Sequence, residues 1–379
     1  RMSGWPGKTV IGLTGNIATG KSVVRKMLEH LGAYGIDADA LGHRAIAKGA
    51  PAYQPVLNTF GRWILAPDGQ IDRARLARIV FSDPEALSSL EAIIHPLVRQ
   101  AVDILVRRSK ERVIVVEAIK LLESPLRTAC DSLWVTYAPP ELQLARLVQK
   151  RGMTPAAARQ RILAQASQEE KMAVANVVIR NMGTFEDTWR QVSAAWKTLF
   201  PAVDTRPLKP AAPAAKGAMV VEKARPGHAA EIATLINRLS DGQRALQNED
   251  VMAAFGEKAF LFLKIDNRPV GLVGWQVENL VARTDDVYLE SGLSLPAAMQ
   301  ALLTTVENTS RDLQCEAALL FLPDPLAQQT DVWRSLGYEA RTVQTLGVRA
   351  WQEAALETMG VGESMYFKQL RKDRVLRPV

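Results

Sequence analysis

A glycine-spaced stretch near the start of the chain has the residue types and spacing of a phosphate-binding loop. Gly15, Gly20, Lys21 and Ser22 fit the pattern G-x-x-x-x-G-K-[ST], with an apolar run before them and helical spacing after them. Backbone N–H groups of such a loop wrap a polyphosphate, and glycines permit the positive φ angles and close approach that this requires. The following helix points its positive end at the anion. We therefore expect a loop that binds ATP; the alternative is a glycine-rich turn that binds nothing.

Roles inside the loop follow from the chemistry of a bound triphosphate. Lys21 is expected to bridge the β- and γ-phosphates, and Ser22 to ligate Mg²⁺. The residues predicted to bind ATP here are Gly15, Asn16, Ile17, Ala18, Thr19, Gly20, Lys21, Ser22 and Val23.

Three carboxylates stand where predicted strands end. Asp37 and Asp39 follow the second strand, and the carboxyl ends of strands in an open α/β sheet form one crevice, so Asp39 should face the loop. A carboxylate there can accept a proton from an attacking hydroxyl, which contributes about 10²- to 10⁴-fold in rate. Asp37 could instead be a helix cap. Glu117 is either an acid near the metal or a surface residue at a strand end.

Strands and helices alternate through residue 205. The apolar runs TVIGLT, AYGID, RVIVVEA, SLWVTYA and VANVVI, separated by amphipathic segments, are typical of a parallel sheet covered on both faces. Between 50 and 110 the strands give way to helical spacing, which predicts a helical insertion. Residues 154–175 are predicted to be helical, starting at Thr154 and Pro155 as cap and first-turn residue.

A proline- and alanine-rich stretch at 205–218 predicts a stiff linker between two domains. The second domain, 219–379, is predicted to be α+β: a strand, a helix, a hairpin turning at DN, a strand VYLES, a helix, a strand, a helix QQTDVWRSLGY and a closing strand MYFKQL.

Composition narrows the class of function. Residues 1–205 carry a net charge of +8 and the remainder −1, and the basic residues are dispersed, which favours small polyphosphate ligands over nucleic acid. No apolar segment approaches the roughly 20 residues of a membrane span, and the start lacks a signal-peptide core, so we expect a cytoplasmic protein without a membrane partner. Cys130 and Cys315 lie too far apart for a disulfide framework, and the four histidines share no zinc-ligand spacing.

Seven motifs in order resemble the dephospho-CoA kinase family over about residues 8–200. They are GLTGNIATGKS, IDADALGHR, DGQIDRARLARIVFSD, LEAIIHPLV, LQLARLVQKRGMT, RILAQASQEEK and VVIRNMGT. The resemblance implies that ATP, with Mg²⁺, phosphorylates the ribose 3′-hydroxyl of dephospho-CoA to give coenzyme A and ADP, the last step of coenzyme A biosynthesis. The small-molecule partners would be ATP and dephospho-CoA or CoA.

The resemblance also implies roles for residues near the loop and in the helical part. Asp39 falls on the family's catalytic aspartate, and Thr14 on the threonine before the loop. Arg73 and His95 match positions in the helical part, about 50–110, where the acceptor binds. Arg73 could instead be a surface cation, and His95 an ordinary core or turn histidine.

Further roles fall in the predicted lid, about 146–175. Arg146 matches the arginine that enters the lid and neutralises the transferring phosphate. Gln165 and Lys171 match lid positions that contact substrate, and Asn181 matches the asparagine near the adenine. The family's second lid arginine is Lys150 here, with Arg151 adjacent; lysine lacks a two-pronged contact, so which of the two contacts phosphate stays open.

The sequence departs from the family after the third strand. Where the family shows a proline, two leucines and a glutamate, this chain has EAIKLLES, and only Glu123 is matched.

Residues 219–379 resemble the GNAT acyltransferase fold in element order and in VWRSLGYEA. That fold holds acyl-CoA pyrophosphate with R/Q-x-x-G-x-G/A, and ESGLSLPAAMQ keeps only Gly292 of it, which favours a regulatory, CoA-sensing or scaffold module over a working acetyltransferase.

The predicted architecture is an α/β P-loop domain at 8–204, a linker and a smaller GNAT-like domain at 219–379. Besides the dephospho-CoA kinase, two functions remain as alternatives: another small-molecule kinase on the same fold, or a CoA-linked acyltransferase or sensor.

Overall fold

The computed structural model describes residues 4–200 and 217–376. Most of the predicted linker, 205–216, therefore lies outside the described residues.

The first half forms a five-stranded parallel sheet in the order β2-β3-β1-β4-β5. The strands are β1 (Thr9–Gly15), β2 (Tyr34–Asp37), β3 (Val113–Glu117), β4 (Ser132–Tyr137) and β5 (Val177–Arg180). Strand β1 lies at the centre, so the loop that follows it opens between neighbouring strand ends. This confirms the predicted P-loop-type sheet.

Helices cover both faces of this sheet because β1 and β3 are apolar on both sides. On one face, α1 (Lys21–His30) and α9 (Phe185–Leu199) pack around Trp134. On the other, α5 (Pro84–Arg108) packs its apolar stripe against β1, β2 and β3.

The predicted helical insertion is confirmed between β2 and β3. It contains α2 (Ala38–Ala45), α3 (Tyr53–Phe60), α4 (Arg73–Ser82) and α5. Asp72 caps α4, and Asp83 with Pro84 begins α5, which runs on through Pro96.

The predicted continuous helix at 154–175 is wrong. The lid contains α6 (Pro140–Arg151), α7 (Pro155–Leu163) and α8 (Gln168–Ala173). Thr154 does cap α7, accepting from the Ala157 N–H. The helix then stops, because Ser167 caps a new one by accepting from the N–H groups of Glu169 and Glu170.

The second half forms a seven-stranded mixed sheet in the order β11-β12-β10-β9-β8-β7-β6. Its strands are β6 (Met219–Lys223), β7 (Ala259–Ile265), β8 (Arg268–Glu278), β9 (Val281–Leu289), β10 (Ala317–Pro323), β11 (Glu339–Ala340) and β12 (Glu363–Gln369). Only β9 and β10 pair in parallel. The predicted hairpin turns at Asp266 and Asn267, both with positive φ.

Two predictions in this half are wrong. The strand predicted at 287–291 is only the end of β9, whose polar residues from Arg283 to Asp286 hid its beginning. The helix predicted at 328–338 is limited to Thr330–Ser335. The sequence also did not predict the helices at 248–254, 324–327 and 349–358 or the short strand β11. The helices here are α10 (Ala229–Leu239), α11 (Asn248–Ala254), α12 (Leu295–Asp312), α13 (Asp324–Ala327), α14 (Thr330–Ser335) and α15 (Arg349–Thr358).

The two sheets lie against each other through the strand and helix ends near α1 and α2. Leu280, in the turn between β8 and β9, packs into the same apolar cluster as Val10 and Ile36 of the first sheet. Tyr34 donates its hydroxyl proton to the Leu313 carbonyl across the same boundary, at 3.0 Å. Both cysteines are free, and no helix in the described ranges has the length and apolarity to cross a membrane.

Candidate active site

The loop after β1 has a backbone that only glycine suits at its two ends. Gly15 and Gly20 have φ angles of 153° and 93°. A Cβ on Gly15 would lie 2.3 Å from Thr136 Oγ1, and one on Gly20 would lie 1.9 Å from Asn181 Nδ2. The positive φ angles are those that the sequence pattern predicts, and the lack of side chains lets the loop lie close to Thr136 and Asn181.

Lys21 is buried at the start of α1 and faces its own loop. Its ammonium donates to the carbonyls of Gly15 and Asn16, at 3.1 and 3.3 Å. Burial lowers the Lys21 pKa, opposed by the charges of Glu117 and Asp39. Within the described residues, no carboxylate lies at salt-bridge distance from this amine. A buried cation bonded only to neutral carbonyls fits the arrival of an anion.

Ser22 and Glu117, the two residues that the sequence offers for a magnesium site, are hydrogen-bonded to each other in the structure. The Ser22 hydroxyl donates to Glu117 Oε1 at 3.0 Å, and Arg25 Nε donates to Oε2 at 2.7 Å. Glu117 is only 4% exposed, so its interpretation as a surface glutamate is wrong. Hydroxyl and carboxylate oxygens suit Mg²⁺. No group of three or more His, Cys, Asp or Glu side chains that could hold a metal occurs in residues 4–200 or 217–376.

The two aspartates at the end of β2 and the start of α2 have different hydrogen-bond partners. Asp37 accepts from the Ala40 N–H at 2.8 Å and caps α2, which confirms the cap interpretation. Asp39, in the first turn of α2, accepts from the Ile119 N–H through Oδ2 at 2.9 Å. Burial raises the pKa of Asp39, opposed by that N–H and by the Lys21 charge. Asp39 is therefore an oriented carboxylate with a pKa shifted toward neutrality.

The backbone of Ile119 forms hydrogen bonds with three of the predicted residues. Its N–H bonds to Asp39, while its carbonyl accepts from Thr14 Oγ1 at 3.0 Å and from Lys171 Nζ at 3.4 Å. Ile119 lies in the stretch where the sequence departs from the family's usual pattern. Sequence reasoning missed it because a backbone contact leaves no signal in the residue type.

The lid packs directly on the loop. Gln165 Oε1 accepts from the Ile17 N–H at 2.6 Å, and Asn16 Nδ2 donates to the Ala166 carbonyl at 2.9 Å. Ile17 also packs against Leu147 and Ala158 of the lid helices. Loop and lid are thus held together by both polar and apolar contacts.

Arg146 and Asn181 close the other side of the loop. Arg146 donates to the carbonyls of Ala18 and Asn181, at 3.0 and 2.9 Å. Asn181 Nδ2 donates to the Thr19 carbonyl at 3.0 Å. Burial lowers the pKa of Arg146, and it also lowers that of Lys171.

Four predicted residues lie away from this cluster. Arg73 is 39% exposed and forms an ion pair with Glu353 of the second half, at 2.7 Å. His95 is half-buried on α5. Lys150 and Arg151 are exposed at the end of α6.

Sequence reasoning also missed Arg25, a buried cation on Glu117. The available signal was its position: Arg25 follows Lys21 by four residues, on the same helix face, so both side chains lie at the same edge of the sheet.

Known proteins are similar to this chain in two separate regions. Residues 9–187 match the family model described as dephospho-CoA kinase. The dephospho-CoA kinase of Geobacter metallireducens is 46% identical over 191 residues, covering 50% of this chain and 95% of that protein. That of Geobacter sulfurreducens is 42% identical over 195 residues, covering 51% and 99%.

In the second region the similarity to solved structures is low. A GNAT-family acetyltransferase from Staphylococcus aureus aligns with 41% of this chain and 100% of its own, with a TM-score of 0.33 and 12% identity. The first half, in contrast, spans nearly the whole of its relatives at high identity, and through that half the chain belongs to the dephospho-CoA kinase family.

Proposed function

We propose that the first half transfers the γ-phosphoryl group of ATP to the ribose 3′-hydroxyl of dephospho-CoA, giving coenzyme A and ADP. The observation that carries this proposal is the convergence of Lys21 and Asp39 at one edge of the parallel sheet, in a segment 46% identical to a dephospho-CoA kinase. Lys21 is suited to bind the phosphates of the donor, and Asp39 is suited to accept the proton of the acceptor hydroxyl.

Asp39 would accept the proton of the attacking hydroxyl. Its second oxygen is held by the Ile119 N–H, so the carboxylate is fixed before substrate arrives. The raised pKa improves it as a base, because a base works best when its pKa lies near the working pH.

Lys21 would exchange its two carbonyl partners for phosphate oxygens. Those carbonyls belong to the loop itself, so the ammonium moves little when the triphosphate binds. Gly15 and Gly20 let the loop backbone approach the phosphates closely.

Ser22 and Glu117 would hold Mg²⁺ together with phosphate oxygens of the nucleotide. When bound, the ion neutralises charge on the transferring phosphoryl group. Glu117 would bind the ion directly or through a water molecule.

The lid residues would complete the nucleotide site. Arg146 would stabilise charge on the phosphoryl group, and Gln165 and Lys171 would contact substrate after leaving Ile17 and Ile119. Asn181, which already bonds the loop through Thr19, would lie near the adenine.

Arg73 and His95 would take part in holding the acceptor. The neighbourhood of Arg73 supports an anionic molecule: His43, one helical turn beyond Asp39, lines a cleft between the halves together with Lys48, Arg73 and Arg349. Dephospho-CoA carries a diphosphate next to its ribose, so the cleft's charge matches the acceptor.

We also propose the domain division 8–204, 205–218 and 219–379, with the second unit a GNAT-like regulatory, CoA-sensing or scaffold module rather than a working acetyltransferase.

The test is ATP consumption with dephospho-CoA compared with a panel of nucleosides, sugars and small alcohols. We expect dephospho-CoA to be turned over with the highest kcat/KM. Equal or better turnover of another acceptor would replace this function with that of another small-molecule kinase.

A further inference from the structure

One carboxylate of the second half, that of Glu278, is linked by hydrogen bonds to Glu117 and Ser22. Glu278 ends β8 and lies in the turn that packs on the first sheet. Both of its oxygens accept from Arg25 Nη2, each at 3.0 Å. Lys26 supports the same turn by donating to the Val277 carbonyl at 2.8 Å.

Arg25 divides its guanidinium among three carboxylates. Nε donates to Glu117 at 2.7 Å, Nη1 to Glu29 at 2.8 Å, and Nη2 to Glu278. The side chain is 4% exposed, and a planar guanidinium held on three sides has no freedom to turn. Burial opposes the Arg25 charge, but Glu278, Glu29 and Glu117 together raise its pKa.

An unbroken path of hydrogen bonds therefore runs from Glu278 through Arg25 and Glu117 to Ser22. Two of these contacts are charged pairs between buried or partly buried groups, which are screened less than surface pairs. The first half aligns with 95% of the Geobacter metallireducens kinase and 99% of the Geobacter sulfurreducens kinase, so Glu278, in the second half, is an addition that this chain makes to what it shares with these two relatives.

We propose that Glu278 is a positioning residue for phosphoryl transfer: it holds Arg25, and Arg25 in turn fixes Glu117 beside Ser22 at the magnesium side of the site. Glu278 also offsets the Arg25 charge. Without it, Arg25 would draw Glu117 more strongly and compete with the metal for that carboxylate. The inference rests on the proposed function, because it assigns Ser22 and Glu117 to the metal side.

The experiment measures binding of a fluorescent ADP analogue to the full chain as Mg²⁺ is titrated, without acceptor. Glu278→Gln keeps the shape of the side chain and removes its charge. We expect the Mg²⁺ concentration for half-maximal binding to rise about three- to tenfold. This is less than the usual loss of metal affinity when a residue that supports a metal ligand is removed. Binding of the analogue in EDTA should not change.

The matched control is Glu290→Gln. Glu290 is also a carboxylate of the second half that pairs with arginines, Arg238 and Arg268, but it has no contact with α1 in the structure. We expect its Mg²⁺ dependence to equal that of the unmodified chain. An equal shift in both variants, or no shift in folded Glu278→Gln, would overturn the proposal.

A double-variant cycle separates positioning from a general effect on folding. In a Glu117→Gln background, adding Glu278→Gln should leave the Mg²⁺ dependence unchanged, because the path is already broken. An additive shift would contradict the proposal.

If Glu278→Gln does not fold, Glu278→Asp is the second variant, because it keeps the charge on a shorter side chain. It should shift the Mg²⁺ dependence in the same direction by a smaller factor. A folded Glu278→Asp variant with no such shift would count against the proposal.

The acceptor is not needed for these measurements. If dephospho-CoA were not phosphorylated yet Glu278→Gln shifted the Mg²⁺ dependence, the proposed function would fail and the positioning role would stand. The reverse pattern would reject the positioning role alone.

Discussion

Two lysines, one in each half, differ in what neutralises them. Lys368 of the second sheet donates to both oxygens of Glu307 and to the Leu336 carbonyl, each at 2.8 Å. Lys21 donates only to two loop carbonyls. The first arrangement is complete within the protein, whereas the second leaves a buried positive charge that a bound anion would complete.

Two glycines show the same contrast. Gly20 has positive φ, and a Cβ there would collide with Asn181. Gly292, at the turn before α12, also has positive φ, but a Cβ there would meet nothing within 4 Å. The first turn is enclosed by other parts of the chain and the second lies open. A side chain at position 20 would therefore meet both a backbone conformation and a neighbour that exclude it, whereas at position 292 only the backbone conformation disfavours one.

The largest effect should come from Asp39→Asn. We expect turnover to fall about 10²- to 10⁴-fold, since an amide cannot accept the proton, while ATP binding persists. The measurement is kcat with dephospho-CoA, beside the Kd for ATP.

Asp37→Asn is the control for this variant. Asparagine caps a helix as aspartate does, so α2 should persist and the loss of turnover should stay well below that of Asp39→Asn. Near-normal turnover of Asp39→Asn would remove Asp39 from the role of base.

Lys21→Met should lower turnover about 10²- to 10³-fold, the usual cost of removing a donor that stabilises transition-state charge. It should also weaken ATP binding. Lys368→Met should instead cost about 1–3 kcal/mol in the free energy of unfolding, because the nearly buried Glu307 keeps only Arg311 of its two cationic partners, and leave turnover unchanged. Urea unfolding and steady-state rates of both variants test whether Lys21 serves turnover and Lys368 serves stability. Equal losses of turnover in the two variants would contradict this difference.

The smallest effect lies at the seam between the halves. His30 of α1 donates from Nε2 to the Phe255 carbonyl at 2.7 Å, and burial lowers its pKa to about 4. The unfolded chain then binds a proton near pH 6.5 that the folded chain does not, so the free energy of unfolding should fall as the pH drops from about 7 to about 4, by roughly 1–3 kcal/mol.

His30→Gln keeps an N–H donor and removes the titration. Urea unfolding at several pH values should give a flatter profile for this variant, with the two proteins matching in slope above pH 8. An unchanged acid slope in the variant would assign the pH dependence to other groups.

The sequence predicts the first half well because its signals are local. The glycine spacing around Lys21 and the apolar runs of β1 and β3 each fit within a short window, and parallel strands bring their ends to one edge. The Asp37 cap is local as well.

The features that the sequence did not predict depend mostly on contacts between distant parts of the chain. Arg73 is paired with Glu353 and Arg25 with Glu278, residues more than 250 positions away. The middle of β9 is polar, and Arg283 there bonds to α15 residues such as Glu357, so the strand lacks the alternation that would predict it. The lid break at Ser167 follows from a cap that competes with helix continuation.

The most direct test of the central claim is phosphorus NMR of the product formed by the full chain from Mg-ATP and dephospho-CoA. We predict a single new phosphomonoester on the ribose 3′-hydroxyl, in equal amount to the ADP produced. ADP formation without that phosphomonoester, or a phosphate on another hydroxyl, would contradict it.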